Sequence, residues 1–222
     1  MLLNVIALNS QAFIQPNMGS YASPLEKGSL LINSNFSLRD YGFVSDFTLM
    51  YSPIKSLGLG ITKRQKENSN GFGASIGHYF TNRNGYNYEL YLGIDHERNR
   101  RSNYSIWHNT YYTQIGIGKT GKKFSHNFYA RASLLDFTKF YIKRIDGNVS
   151  EVQKIVDKDP YLFYELGYKL SYGNEKIKGY AMLNKVLKMD NPLLHQDLHL
   201  SLGVQVNIQL FAKQIYKTMK GK

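Results

Sequence analysis

A transmembrane antiparallel up-and-down β-barrel of about ten strands, within a range of roughly eight to twelve, is the fold this sequence predicts. Three observations lead there. Apolar residues recur at every second position through most of the chain. The breaks between these segments carry the residues of tight turns. Aromatic residues stand at the segment ends beside the shortest breaks.

The alternation is clearest near the end of the chain. Leu198, Leu200, Leu202, Val204, Val206, Ile208 and Leu210 alternate with His199, Ser201, Gly203, Gln205, Asn207 and Gln209. Successive strand side chains point to opposite faces, so one face is continuously apolar and the other polar or small. The run exceeds the roughly 9–11 residues that a tilted strand needs to cross a bilayer. Upstream, the same pattern places Phe72, Ala74 and Ile76 on one face, then Tyr86, Tyr88, Leu90, Leu92 and Ile94. It continues with Phe124, Phe128, Ala130, Ala132 and Leu134, and with Leu162, Tyr164, Leu166, Tyr168, Leu170 and Tyr172. Further strands are expected over 29–38, 43–51, 56–65, 105–118 and 177–186.

The connections give the architecture. Pro53-Ile54-Lys55-Ser56, Thr81-Asn82-Arg83-Asn84-Gly85, Thr120-Gly121-Lys122 and Gly173-Asn174-Glu175-Lys176 are short and carry hairpin residues. The intervening connections, at about 65–70, 98–104, 136–159 and 187–196, are expected to be more variable and often longer. Short turns at one end and longer loops at the other are typical of outer-membrane barrels, with the short turns and both termini periplasmic. Tyr51, Phe80, Tyr86, Phe124, Tyr172 and Phe211 fall at the short-turn ends or the C-terminus, where an interfacial aromatic girdle belongs. A soluble sandwich also alternates, but has less reason to gather aromatics at one end of nearly every strand.

Composition narrows the partners. With 222 residues the chain is long enough for one domain. It carries 28 Lys and Arg against 16 Asp and Glu, which raises nucleic acid as a partner. The cations recur between the alternating segments, not in one patch, which suits loops and turns facing lipid phosphates; nucleic acid is not expected. There is no Cys, so disulfides, zinc thiolates and thiol nucleophiles are excluded. No run of roughly 18 or more apolar residues provides a membrane helix.

The organisation expected is a signal-peptide remnant over 1–12, an N-terminal periplasmic segment over 13–28, the barrel over 29–211 and a basic tail over 212–222. The first part rests on the apolar Met1-Leu2-Leu3-Asn4-Val5-Ile6-Ala7-Leu8 followed by the small residues of Asn9-Ser10-Gln11-Ala12. A short buried N-terminal strand is the alternative.

Pro16-Asn17-Met18, then Pro24-Leu25-Glu26-Lys27-Gly28 leading into a strand, resembles the start of small outer-membrane β-barrel proteins of Bacteroidota. The ending Gln209-Leu210-Phe211 resembles the terminal signal strand read by the barrel-assembly machinery. Two departures stand out: some relatives carry an N-terminal lipoprotein Cys that this chain lacks, and residues 212–222 continue past the signal strand. The resemblance implies fold and location, and no activity.

Several constellations invite a chemical reading. His195, Asp197 and His199 share a face of a strand and could hold a metal ion; the plainer reading is a polar strand entrance. Gly116 to Lys123 partly matches a phosphate loop, but Lys123 stands where Ser or Thr should hold magnesium, and no helix follows. Ser125 with His126, and Asp95, His96 and Glu97, could suggest a lipid-modifying enzyme; neighbours on a strand point to opposite faces and make poor nucleophile–base pairs.

The lumen is expected to hold Asp46, Glu89, Asp95 and Glu165 against Arg64, Arg131, Lys169 and Lys178, with Tyr79, Tyr91, Tyr112, Tyr129 and Tyr161. Such groups can meet across a narrow barrel, which favours a filled interior over a small passive channel. Partner-binding candidates are Phe137, Phe140, Tyr141, Lys143 and Arg144 on the longest connection, which also holds a possible helix over 149–157, and Ile215, Tyr216 and Met219 in the tail. Arg98, Arg100 and Arg101 are candidates for lipopolysaccharide phosphates. The function expected is a non-enzymatic outer-membrane scaffold or accessory subunit binding another envelope protein, without a cofactor. A lipid-modifying enzyme and a small passive channel are the alternatives.

Overall fold

Ten antiparallel strands close into one barrel in which each strand pairs with its sequence neighbours and the first pairs with the last. The structure is a computed structural model; it describes residues 26–39, 42–66, 68–121, 123–143, 153, 156–157, 160–188 and 198–208. The strands are β1 (Leu30–Arg39), β2 (Gly42–Tyr51), β3 (Leu57–Lys66), β4 (Ser69–Thr81) and β5 (Tyr86–Arg100). They continue with β6 (Tyr104–Thr120), β7 (Phe124–Ile142), β8 (Tyr161–Gly173), β9 (Ile177–Lys188) and β10 (Leu198–Asn207).

The alternation sets the faces as the sequence predicts. Ile61, Phe72, Leu92, Phe128, Leu166 and Leu202 point outward and are exposed, whereas Asp46, Arg64, Glu89, Arg131, Glu165 and Lys169 are buried inside. This is the reverse of a soluble barrel. An apolar belt surrounds a polar interior, as a bilayer requires of a closed sheet whose backbone groups are all paired. Tyr51, Phe80, Tyr86, Phe124 and Tyr172 are all exposed at the short-turn end. Phe80 stacks on Tyr88 at 4.8 Å, and Phe124 lies 4.8 Å from Tyr172. Phe211 lies outside the described residues.

Inward glycines make room for inward tyrosines. A Cβ on Gly77 would lie 2.0 Å from the Tyr91 ring, and one on Gly93 would lie 2.2 Å from that of Tyr112. Each glycine faces its tyrosine across the ladder, so the ring lies flat over the gap and fills the narrow lumen.

The connections differ from expectation at one end. The turns after β2, β4, β6 and β8 are short, and both barrel termini lie at that end. At the opposite, far end, however, β1–β2, β3–β4 and β5–β6 are joined by only residues 40–41, 67–68 and 101–103. Only the β7–β8 and β9–β10 connections are long there. The residues expected in loops at 98–100 and 136–142 are strand, because β5, β6 and β7 run to 15, 17 and 19 residues against 10 in each of β1, β2 and β3. The barrel therefore has a low wall and a tall wall.

One irregularity shapes the tall wall. His108 pairs with Phe137 and Trp107 with Lys139, which leaves Thr138 as an extra residue in β7. Such a bulge shifts the facing of every residue beyond it. Phe137 and Phe140 can therefore both face the interior despite their odd spacing, and Tyr141 faces outward.

Candidate functional site

The lumen is a network of paired charges. On the low-wall side, Arg64 of β3 donates from Nε to Asp46 of β2 at 2.9 Å and from Nη1 to Glu97 of β5 at 3.0 Å. Ser69 donates to the other Glu97 oxygen at 2.5 Å, and His108 Nε2 lies 3.9 Å from the carboxylate. Farther round, Arg131 donates to Gln114 Oε1 from Nε at 3.1 Å and lies 3.6 Å from Glu165. Its guanidinium lies 4.8 Å from the centre of the Tyr112 ring. Glu89 accepts from Gln114 and Asn127, each at 3.1 Å. Lys169 reaches Gln205 at 3.3 Å and sits 4.1 Å over the Tyr180 ring.

Every lumen residue named from the sequence is buried here. Buried charges persist only when paired in this way, and the pairing draws the side chains across the bore. The sequence reading of the lumen omits Glu97 and His108, although Glu97 shares the parity of Asp95 and His108 lies within the strand expected over 105–118 on the same face as Tyr112.

Toward the far rim the interior turns apolar. Ile106, Leu135, Phe137, Tyr161, Phe163 and Val186 form one buried cluster, with Phe140 and Val156 packed against it. The expectation that Phe137 and Phe140 offer a partner surface on a loop is therefore corrected: both lie on β7 and help fill the lumen mouth. Tyr141 remains exposed on the outer side of the same strand. Lys143 follows it, with Nζ donating to the Arg101 carbonyl at 3.2 Å, so it ties the β7 end to the β5–β6 turn. Of the expected helix over 149–157, Gln153, Val156 and Asp157 are described, and the Asp157 N–H donates to the Gln153 carbonyl at 2.9 Å.

Arg144, His195, Asp197, Ile215, Tyr216 and Met219 lie outside the described residues. So do residues 1–25, which hold the expected signal remnant and most of the N-terminal segment, and the tail over 212–222. His199 is buried and faces the lumen from β10. Among the described residues, no three His, Asp or Glu side chains gather as a metal site.

No family model matches the chain, and no curated protein matches it. The chain is similar in fold to solved outer-membrane barrels. The KdgM porin, solved in complex with disordered oligogalacturonate, is 14% identical with a TM-score of 0.42, over 79% of this chain and 98% of that one. The outer-membrane protein Omp33 of Acinetobacter baumannii is 8% identical with a TM-score of 0.40, over 83% of this chain and 100% of that one. The N-terminal barrel domain of Pseudomonas aeruginosa OprF is 10% identical with a TM-score of 0.35, over 82% of this chain and 99% of that one.

The outer surface carries a second feature, which the sequence reading missed. A groove of about 880 Å³ runs along the outer wall across β2 to β6. Its deepest part is apolar, with Ile61 and Ala74; Lys63 stands between Phe47 and Phe72 on the next rung, and Arg98 and Trp107 lie one rung nearer the far rim. Arg98 Cζ lies over the Trp107 ring, 4.4 Å from its centre. Beside them His96 Nδ1 lies 2.8 Å from Asn109 Oδ1. Arg100 is exposed at the end of β5, and Arg101 sits in the turn that follows. Of the three arginines named for phosphate contact, Arg98 is the one that lines the groove.

Proposed function

We propose that this chain is a closed-lumen outer-membrane barrel that works without catalysis, as a scaffold or accessory subunit acting through its outer wall and far rim. The observation that carries the reading is the filled bore. Arg131, Glu165, Gln114 and Tyr112 meet inside the barrel, and the apolar cluster around Phe137 occupies the far mouth. A passive channel needs a continuous wet path, and these groups stand in its way. The apolar belt and the aromatic girdle support the membrane location, and the Bacteroidota-like entry segment is in keeping with it. Both barrel termini lie on the short-turn side, which this reading assigns to the periplasm.

A lipid hydrolase would need a hydroxyl nucleophile beside a base. His96 is the imidazole on the outer wall with an amide partner, but its ladder neighbours are Phe72 and Asn109, and Thr62, the hydroxyl lining the groove, bonds Thr48 at 3.0 Å on the lumen side. That arrangement favours binding over hydrolysis.

The test is reconstitution of the purified protein in planar bilayers. Absence of stepwise conductance is expected, and reproducible steps from the wild type would overturn the closed-lumen reading. Extraction from native outer membranes in mild detergent then addresses the accessory role. A stoichiometric companion is expected; a chain that migrates alone counts against that role.

A further inference from the structure

We propose that the outer-wall groove across β2 to β6 is a binding site for a phosphate-bearing acylated sugar lipid of the lipid A type, held with its acyl chains on Phe72 and Ile61 and its phosphate on Arg98 and Lys63. The inference rests on the proposed placement of the far rim in the outer leaflet.

The order of chemistry along the groove is the first argument. β3 and β5 ascend toward the far rim while β2, β4 and β6 descend from it. In the ladder, Ile61 and Ala74 therefore lie deepest on the membrane side, Phe47, Lys63 and Phe72 share the next rung, and Asn70, Arg98 and Trp107 occupy the rung above, nearest the far rim. Phe72 is 67% exposed and Ile61 60% exposed, which leaves large apolar surface for hydrocarbon. An amphiphile with its head at the interface has the same order of parts.

Charge is the second argument. The carboxylates next to Arg98 in sequence, Asp95 and Glu97, face the lumen and are buried there. Asp136, half-buried on β7, is two strands away from Arg98 in the ladder. Neither Arg98 nor Lys63 forms an ion pair among the described residues. The Arg98 Nε is buried and makes no hydrogen bond among them. Its guanidinium carbon instead lies 4.4 Å from the centre of the Trp107 ring, a cation–π contact that leaves its charge uncompensated by a described carboxylate. A guanidinium with no anionic partner among the described residues matches a phosphate in charge and in hydrogen-bond donors.

The third argument separates the lipid classes. The amides of Gln65 and Asn70 line the upper groove beside the cations. Paired amides suit sugar hydroxyls, and a phosphorylated disaccharide with amide-linked acyl chains offers them more donors and acceptors than the two hydroxyls of a glycerol headgroup.

Trp107 is the one tryptophan of the chain and lies under Arg98, so it reports on the site directly. The folded full-length protein in dodecyl maltoside would be titrated with diphosphoryl lipid A while its tryptophan emission is recorded. A saturable change is expected, with phosphatidylglycerol at least tenfold weaker. Bound lipid A on variants would be counted by native mass spectrometry, and folding would be checked by heat-dependent gel migration. Arg98→Ala with Lys63→Ala should lower retention at least tenfold. Ala74→Phe, which fills the groove and spares both cations, should lower it by a similar factor. Arg83→Ala at the opposite end should leave it unchanged. A flat titration, a double variant that retains lipid A like the wild type, or equal binding of phosphatidylglycerol would each overturn the proposal. Conductance of the wild type tests the closed lumen separately, so the two readings fail independently.

Discussion

The low wall of β1 to β3 and the tall wall of β5 to β7 obey one pattern and serve two purposes. Ten-residue strands match the roughly 9–11 residues that a tilted strand spends in a bilayer. The low wall is thus nearly all membrane span. The strands of 15 to 19 residues pass beyond it by several residues, at about 3.4 Å each. Beyond the belt, both faces of the tall wall change character. The inner face turns from charged to apolar around Phe137, and the outer face turns from apolar to cationic and aromatic around Arg98. Where lipid no longer dictates an apolar exterior, the strand is free to build a core inside and a binding surface outside.

The largest effect expected comes from cutting the tie between the walls. Arg64 on β3 bridges Asp46 on the low wall to Glu97 on the tall one. Arg64→Ala would leave two buried carboxylates without their cation, at about 3–5 kcal/mol. Urea titration of the protein in lipid vesicles should show a much lower midpoint, and a loss under ~1 kcal/mol would mean that the walls hold together without this tie.

A comparable loss tests the tall wall alone. Phe137→Ala opens a cavity in the far-end cluster and should cost about 3–5 kcal/mol. Phe72→Ala on the outer wall should cost under about 1 kcal/mol. Equal losses in the same titration would refute a packed core above the membrane.

The height of the membrane is tested by charge. Leu92→Arg places a cation in the belt and should cost about 2–4 kcal/mol, whereas Tyr141→Arg, past the bulge, should cost roughly 0–1 kcal/mol. If the two substitutions cost the same, the tall wall does not leave the bilayer. The smallest effect is steric. Gly77→Ala drives a methyl into the Tyr91 ring and should cost about 1–3 kcal/mol, relieved when Tyr91→Leu is added. Failure of the second substitution to restore stability would separate the glycine from its tyrosine.

The walls were unequally legible in the sequence. Period-two alternation holds over most of the low wall, interrupted outward only at Ser34, Ser45, Lys63 and Gln65, so strand bounds there shift by only a residue or so. It also placed every charged lumen residue named in advance, since facing follows from parity alone. The upper tall wall was hidden for two reasons. Arg98, Arg100, Lys139 and Lys143 interrupt the apolar alternation and read as loop. Thr138 reverses the parity beyond it, so Phe137 and Phe140 cannot both fit one strand face until the bulge is known. The groove was invisible for a third reason. Lys63, Arg98 and Trp107 come from three strands, and only the ladder register brings them together.

The pairing of β1 with β10 joins the first-made strand to the last. Until β10 is synthesised and delivered, β1 offers its partner groups to any extended chain nearby, in an aqueous compartment that its apolar face must also survive. The order of manufacture thus leaves the strands from β1 to β9 in need of protection until β10 closes the barrel. A chain interrupted anywhere before Leu198 would present two open edges, and so become a substrate for proteases instead of a resident of the membrane.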